Sequence, residues 1–232
     1  MMCANFHVIF LRKTCTGQKK AVPLHVQMNN NTPMRAIGLT IAGLCICLSI
    51  AAQTIFTDSV MLEAYRREDM TVWKEHIDKA FLSPFSSQFS PLLYEYGFCG
   101  YMVDRDKPNA LPYVRQFRSH VEAAKDMLPA GHYEMYLSAV YVYELRLHES
   151  IHPLKAMSLA RKAVQSAPAD PLTLAYYATC LFYAPKPFGS KQEALEYFEK
   201  ADSLFHSPPF RYCWVREATE MYINQCREKL KK

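Results

Sequence analysis

The chain has 232 residues, half of them apolar, with 15 Tyr and 13 Phe against only 7 Gly. So few glycines count against all-β folds, which need Gly-rich turns, and against nucleotide-binding α/β folds, which need Gly loops. The net charge of +5 belongs to residues 1–57, which hold Arg12, Lys13, Lys19, Lys20 and Arg35 and no acid; from Asp58 onward 22 basic residues balance 22 acidic ones, so no bulk positive field exists there and a nucleic-acid partner is excluded.

Ala36 to Ala52 reads AIGLTIAGLCICLSIAA, an uncharged run preceded by Arg35 and ending in small residues. A positive start, an apolar middle and a small-residue end are the layout of a secretory signal, with cleavage expected after Ala52. A spanning helix needs about 20 apolar residues, so an uncleaved N-terminal membrane anchor is the competing reading. Lipidation is not expected, because Leu44 and Ile46 precede Cys45 and Cys47 where a small residue would be needed. The chain is thus read as residues 1–35, a disordered leader or over-extended N-terminus; 36–52, a signal peptide; and 53–232, a helical domain that is exported to the periplasm or outside the cell.

Helices follow one another after the leader. Residues 58–81 carry Val60, Met61, Ala64, Tyr65, Val72, Trp73, Ile77 and Ala80 at helical spacing, and Ser83-Pro84 ends that helix. Ser90-Pro91 is an N-cap followed by Pro at the first helical position. In the helix it opens, Gly97 and Gly100 each cost about 1 kcal/mol against Ala, and a close helix–helix approach is the expected compensation. A third helix is expected over Asn109–Leu128 and a fourth over His132–His148. The fifth runs from Pro153 to before Pro168. Asp170-Pro171 opens the sixth, which runs to Tyr183. After the loop APKPFG, Ser190 and Glu193 form a capping box for the seventh, ending near Phe205, and a last amphipathic helix reaches Lys229. No segment alternates with period two for long enough to be a strand. The expectation is an all-α fold of seven to eight helices.

Two stretches repeat. Ala156, Ala160 and Ala163 recur as Ala194, Phe198 and Ala201, 38 residues later, each set followed by proline and preceded by an aromatic-rich helix. This resembles the tetratricopeptide repeat, a helical hairpin of about 34 residues whose second helix carries small–x3–aromatic–x2–Ala and a terminal Pro. The loop 184–191 accounts for the excess length. Small residues let the second helix approach its neighbours, and since one hairpin cannot bury its own apolar face, hairpins must stack. Glu144 departs from the pattern, for a small residue is usual there; Ala178 fits. The stretch PKPFGSKQEALEYFEKA is also similar to exported bacterial repeat proteins. The resemblance implies a helical-hairpin solenoid whose first helices line a concave groove, placing Ser138, Tyr141, Leu145, His148, Ala175, Thr179, Phe182 and Tyr183 there.

Chemistry-bearing residues do not assemble in the sequence. The histidines form no HExxH or i, i+4 helical pair, His148 and His152 are separated by the start Pro153 imposes, and Cys99, Cys180, Cys213 and Cys226 form no CxxC. Those four cysteines are open to two readings, disulfides of an exported protein or buried thiols between helices. Glu95 with Asp104, and Glu122 with Asp126, are read as solvated helix faces. The functional expectation is a non-catalytic scaffold with no cofactor and no metal, binding a protein or peptide segment through a Tyr-rich groove. The alternatives are a membrane-anchored envelope subunit and a ligand-binding or enzymatic domain with the loop near Phe188 as a lid.

Overall fold

The computed structural model describes residues 58–80, 91–149, 152–207, 210–211 and 213–231. The expected leader and signal segment, Ser83-Pro84 and the Ser90 cap lie outside these residues. Helical segments follow in order: α1 (58–66), α2 (Met70–Ala80), α3 (Pro91–Arg105), α4 (Lys107–Ala123), a 3₁₀ turn (Lys125–Met127), α5 (His132–Arg146), α6 (Pro153–Ser166), α7 (Pro171–Tyr183), α8 (Lys191–Phe205) and α9 (Trp214–Leu230). Among the described residues there is no strand, and no helix is long and apolar enough to cross a membrane.

Local rules account for most of the boundaries. Asp170 accepts a hydrogen bond from the Thr173 amide at 2.8 Å, and Ser190 accepts one from the Glu193 amide at 3.2 Å, each satisfying a donor that the helix start leaves unpaired. Gly131 stands before α5 at φ 79°, and a Cβ there would lie 2.5 Å from the Ala163 carbonyl oxygen of α6. Only glycine meets both demands. The expected third helix stops at Ala123 and gives way to the 3₁₀ turn, a tightening common at helix ends.

The single helix expected over 58–81 is two helices. Residues 67–69 turn, with Glu68 at φ 55°, and α2 folds back so that the Trp73 indole donates to the Met61 carbonyl at 2.9 Å. Both residues are thereby fully buried. Burying the two apolar stripes against α3 outweighs the strain of one residue in the left-handed region.

From α3 onward each helix packs against the next, and α3, α5, α7 and α9 also touch one another in succession. Three antiparallel hairpins, α3/α4, α5/α6 and α7/α8, therefore stack with the odd-numbered helices side by side. The repeated set makes this possible: Ala156, Ala160, Ala163, Ala194, Phe198 and Ala201 are all buried on α6 and α8. The off-pattern Glu144 is held by Arg118 of α4 through two hydrogen bonds of 2.9 and 2.7 Å, so a charged residue is kept where a small one was expected. Glu95 is not on a solvated face. It is buried, with its carboxylate 3.0 Å from His120 Nδ1, and burial raises its pKa against the opposing pull of His120. All four described cysteines are free thiols, three of them buried.

Truncating Phe198 to Ala opens a void in this packing and is expected to destabilise the chain by about 3–5 kcal/mol. Asp170→Ala removes one cap and is expected to cost about 1 kcal/mol. Urea unfolding followed by helical circular dichroism measures both, and equal effects would contradict the ranking.

Candidate functional site

The odd-numbered helices, with Pro153, Ala156 and Met157 of α6 and Phe198 of α8, line a half-open cavity of about 690 Å³, within the roughly 300–1,000 Å³ range of small-molecule sites. Its wall is aromatic. Tyr65 of α1 lies 5.3 Å from Trp214 of α9, centroid to centroid, and Trp214 lies 5.8 Å from Tyr96 of α3. Tyr96 in turn stacks on Tyr143 of α5 at 6.0 Å and meets Tyr176 of α7 edge-on at 5.9 Å. A second group continues it, with Tyr222 stacked on Phe198 at 5.3 Å and perpendicular to Tyr183 at 6.0 Å.

The hydroxyl groups of this wall are largely committed to the protein. Tyr143 donates to the Tyr96 carbonyl at 2.9 Å. Tyr176 donates to Ser138 Oγ at 2.9 Å, and Ser138 passes the chain on to the Ala156 carbonyl at 2.7 Å. Thr179 and Thr219 each donate to a carbonyl of their own helix, and the Tyr183 and Tyr222 hydroxyls lie 3.2 Å apart. The wall therefore offers a ligand mainly ring faces and methyl groups, with the buried Trp214 indole N–H, which has no hydrogen-bond partner among the described residues, as an open donor. Burial pushes the Tyr96, Tyr143 and Tyr176 phenols well above their ordinary range and the Cys180 thiol up to about 12, so all stay neutral at physiological pH.

Glycine makes room for the rings. A Cβ on Gly97 would sit 2.4 Å from Trp73 Cζ3 and 2.9 Å from Trp214 Cζ2, and one on Gly100 would sit 3.1 Å from the Tyr143 hydroxyl. The expected close approach at these glycines is thus an approach of aromatic side chains onto α3. The exposed members of the lining mark the mouth: Asp104, Arg146, Pro153, Tyr183, Pro185 and Met221. Asp104 and Arg146, paired with each other, are the charged residues among the described lining.

Of the residues the sequence placed in a groove, Leu145, Ala175, Thr179 and Tyr183 border the cavity. Ser138 is buried one layer behind it, in the hydrogen-bond chain that orients Tyr176. Phe182 is buried, with the Lys191 and Lys229 ammonium groups 4.2 and 4.4 Å from its ring centre. Tyr141 stands between Arg118 and Lys155, at 4.9 and 4.6 Å from its ring. His148 is exposed at φ 64° just past α5. Sequence reasoning missed Tyr65, Tyr96, Tyr143, Tyr176, Trp214 and Tyr222. The one signal for them was Gly97 and Gly100 beside aromatic positions in α3. Among the described residues no three His, Cys, Asp or Glu side chains are grouped to hold a metal ion.

No family model matches the chain, and no curated protein matches its sequence. Among solved structures the chain is similar to the HusA haemophore from Porphyromonas gingivalis, with a TM-score of 0.58 over 76% of this chain and 94% of that one, at 16% identity. The likeness is one of helical fold.

Gly97→Ala should gain about 1 kcal/mol of helix propensity and lose more, about 1–3 kcal/mol, to displaced rings, because Trp73 is anchored by its bond to Met61. A lowered melting temperature with altered tryptophan emission is the expected result. With a pKa near 12, Cys180 should be thiolate in only about one molecule in ten thousand at pH 8. Iodoacetamide should label it in the folded chain far more slowly than in urea, as read by peptide mass spectrometry.

Proposed function

We propose that this chain is an exported, non-catalytic carrier that holds a flat, largely apolar small molecule in the aromatic cavity, and that a porphyrin is the member of this class to test first. The observation that carries the reading is the wall itself: stacked and perpendicular rings around a space of small-molecule size, with the Tyr143 and Tyr176 hydroxyls bonded within the protein. Such a surface recognises planar faces by stacking and area, at roughly 0.5–1.5 kcal/mol per aromatic pair beyond simple burial. The Tyr143 and Tyr176 hydroxyls would have to break internal bonds to serve a polar ligand, whereas the Trp214 indole N–H is left to donate to an acceptor on it. The helical likeness to a haemophore supports the porphyrin choice, and the signal-like run at Ala36–Ala52 supports export.

For a haem as cargo, the wall fits the macrocycle better than the iron. The described lining holds no histidine, Cys180 is a neutral thiol, and the Tyr143 and Tyr176 hydroxyls are engaged. Met135, Met157 and Met221 also border the cavity, but a thioether is a weak ligand for the ferric iron of haemin, so ring contacts supply most of the fit.

A protein or peptide segment in the same concavity is the second reading. The exposed Tyr183 and Met221 at the mouth favour it, as does the hairpin stack, which is the arrangement a tetratricopeptide-like solenoid would have.

Titration with haemin and with metal-free protoporphyrin IX, followed by quenching of the two tryptophans, one of which is Trp214 in the wall, tests the carrier reading. Saturable binding of both is expected, with dissociation constants within about tenfold of each other, since little would be owed to the iron. Thr179→Trp, which fills the cavity from α7, should weaken both by at least about tenfold while helicity is unchanged. Non-saturating quenching, or binding indifferent to Thr179→Trp, would turn the choice to the peptide reading.

A further inference from the structure

A largely apolar cavity favours placing a charged ligand group at the mouth, where water reaches it. Three ion pairs lie there or close by. Arg146, in the last turn of α5, reaches Asp104 of α3. Arg105 reaches Glu68 at 3.4 Å, and Arg66 donates to Glu217 at 2.9 and 3.2 Å. Arg66, Glu68 and Arg105 line a smaller recess that shares Tyr65, Gly97, Tyr101, Asp104 and Trp214 with the main cavity. Of these arginines only Arg146 belongs to the lining of the cavity itself.

Its geometry suits exchange. Arg146 and Asp104 are 47% and 54% exposed, so their mutual attraction is screened and weak. Arg146 engages Asp104 through Nη2, whereas a guanidinium has five N–H donors in a planar fork matched to a carboxylate. Its remaining donors stand where the aromatic wall meets water.

Resting on the carrier reading above, we infer that Arg146 is the anchor for a carboxylate borne by the planar ligand, and that Asp104 holds the guanidinium in place until that carboxylate arrives. The ligand class is then narrower than flat and apolar: it is an amphipathic planar acid, its rings among Tyr96, Tyr143 and Trp214 and its acid group at the mouth. Asp104 competes with the ligand for Arg146 and repels it, so the two partners of one ion pair affect binding in opposite directions. A bridge that merely braced α3 against α5 would not behave in this way, because breaking it from either side would have the same effect.

The test uses the full-length chain and two probes, protoporphyrin IX and its dimethyl ester, presented from the same detergent, with binding read by tryptophan quenching. Arg146→Met should weaken the diacid about fivefold and leave the ester within about twofold, the range expected for one exposed charge contact. Asp104→Asn should tighten the diacid about twofold and leave the ester unchanged. Equal effects of Arg146→Met on acid and ester, or weakening of the diacid by both variants, would overturn the assignment. If the unaltered chain binds neither probe, it is the carrier reading itself that fails.

Discussion

A helical hairpin exposes one apolar side that it cannot cover by itself, and this constraint shapes the whole chain. Helices α6 and α8 meet it with small side chains. At Ala156, Ala160 and Ala163 on α6, and at Ala194 and Ala201 on α8, the loss of side-chain bulk lets neighbouring backbones come close enough for Ser138 to reach a carbonyl of the adjacent helix. Phe198, the one large residue of the repeated set, fills the gap between hairpins. This close packing seats α6 and α8 against the odd-numbered helices, so that Ala156 and Phe198 also border the cavity whose rings those helices carry.

Those rings face two requirements at once. A tyrosine is large and apolar, but its hydroxyl is costly to bury without a partner. The chain answers by sending hydroxyls backwards: Tyr143 to the α3 backbone, Tyr176 through Ser138 to α6. The ring faces are left toward the cavity. Each such bond also ties one hairpin to the next, so the polar network that cements the stack is the same network that withdraws these two hydroxyls from a ligand. The clasp between α1 and α9, with Tyr65 on Trp214 and Arg66 on Glu217, joins the two ends of the described fold in the same economical manner.

Most helix positions are legible in the sequence because their signals are local. Asp170-Pro171, Ser190 with Glu193, and the prolines after each apolar run act within one turn of the backbone, where chemistry depends on near neighbours alone. The repeat was legible for the related reason that small residues at fixed spacing are conspicuous. The break at residues 67–69 was not, since the stripe from Val60 to Ala80 keeps helical period throughout; only the return of Trp73 onto Met61 favours the turn. Glu95 reads as one more helix-surface acid until His120, 25 residues away, is brought beside it. The groove residues divided for a similar reason. Periodicity places Ser138, Phe182 and Thr179 on helices but not in depth, and depth is set by which helix lies behind.

The sequence by itself determined that the described fold is all helix, where most of its helices begin, and that two hairpins share one packing pattern, because capping, proline and small-residue spacing are short-range. Only the tertiary structure decided that Tyr96, Tyr143, Tyr176 and Trp214, spread over about 120 residues, form one wall, and that Arg146 stands at its mouth. Stacked rings and a shared cavity are properties of several helices at once, and no local preference of the backbone encodes how far apart those helices will lie.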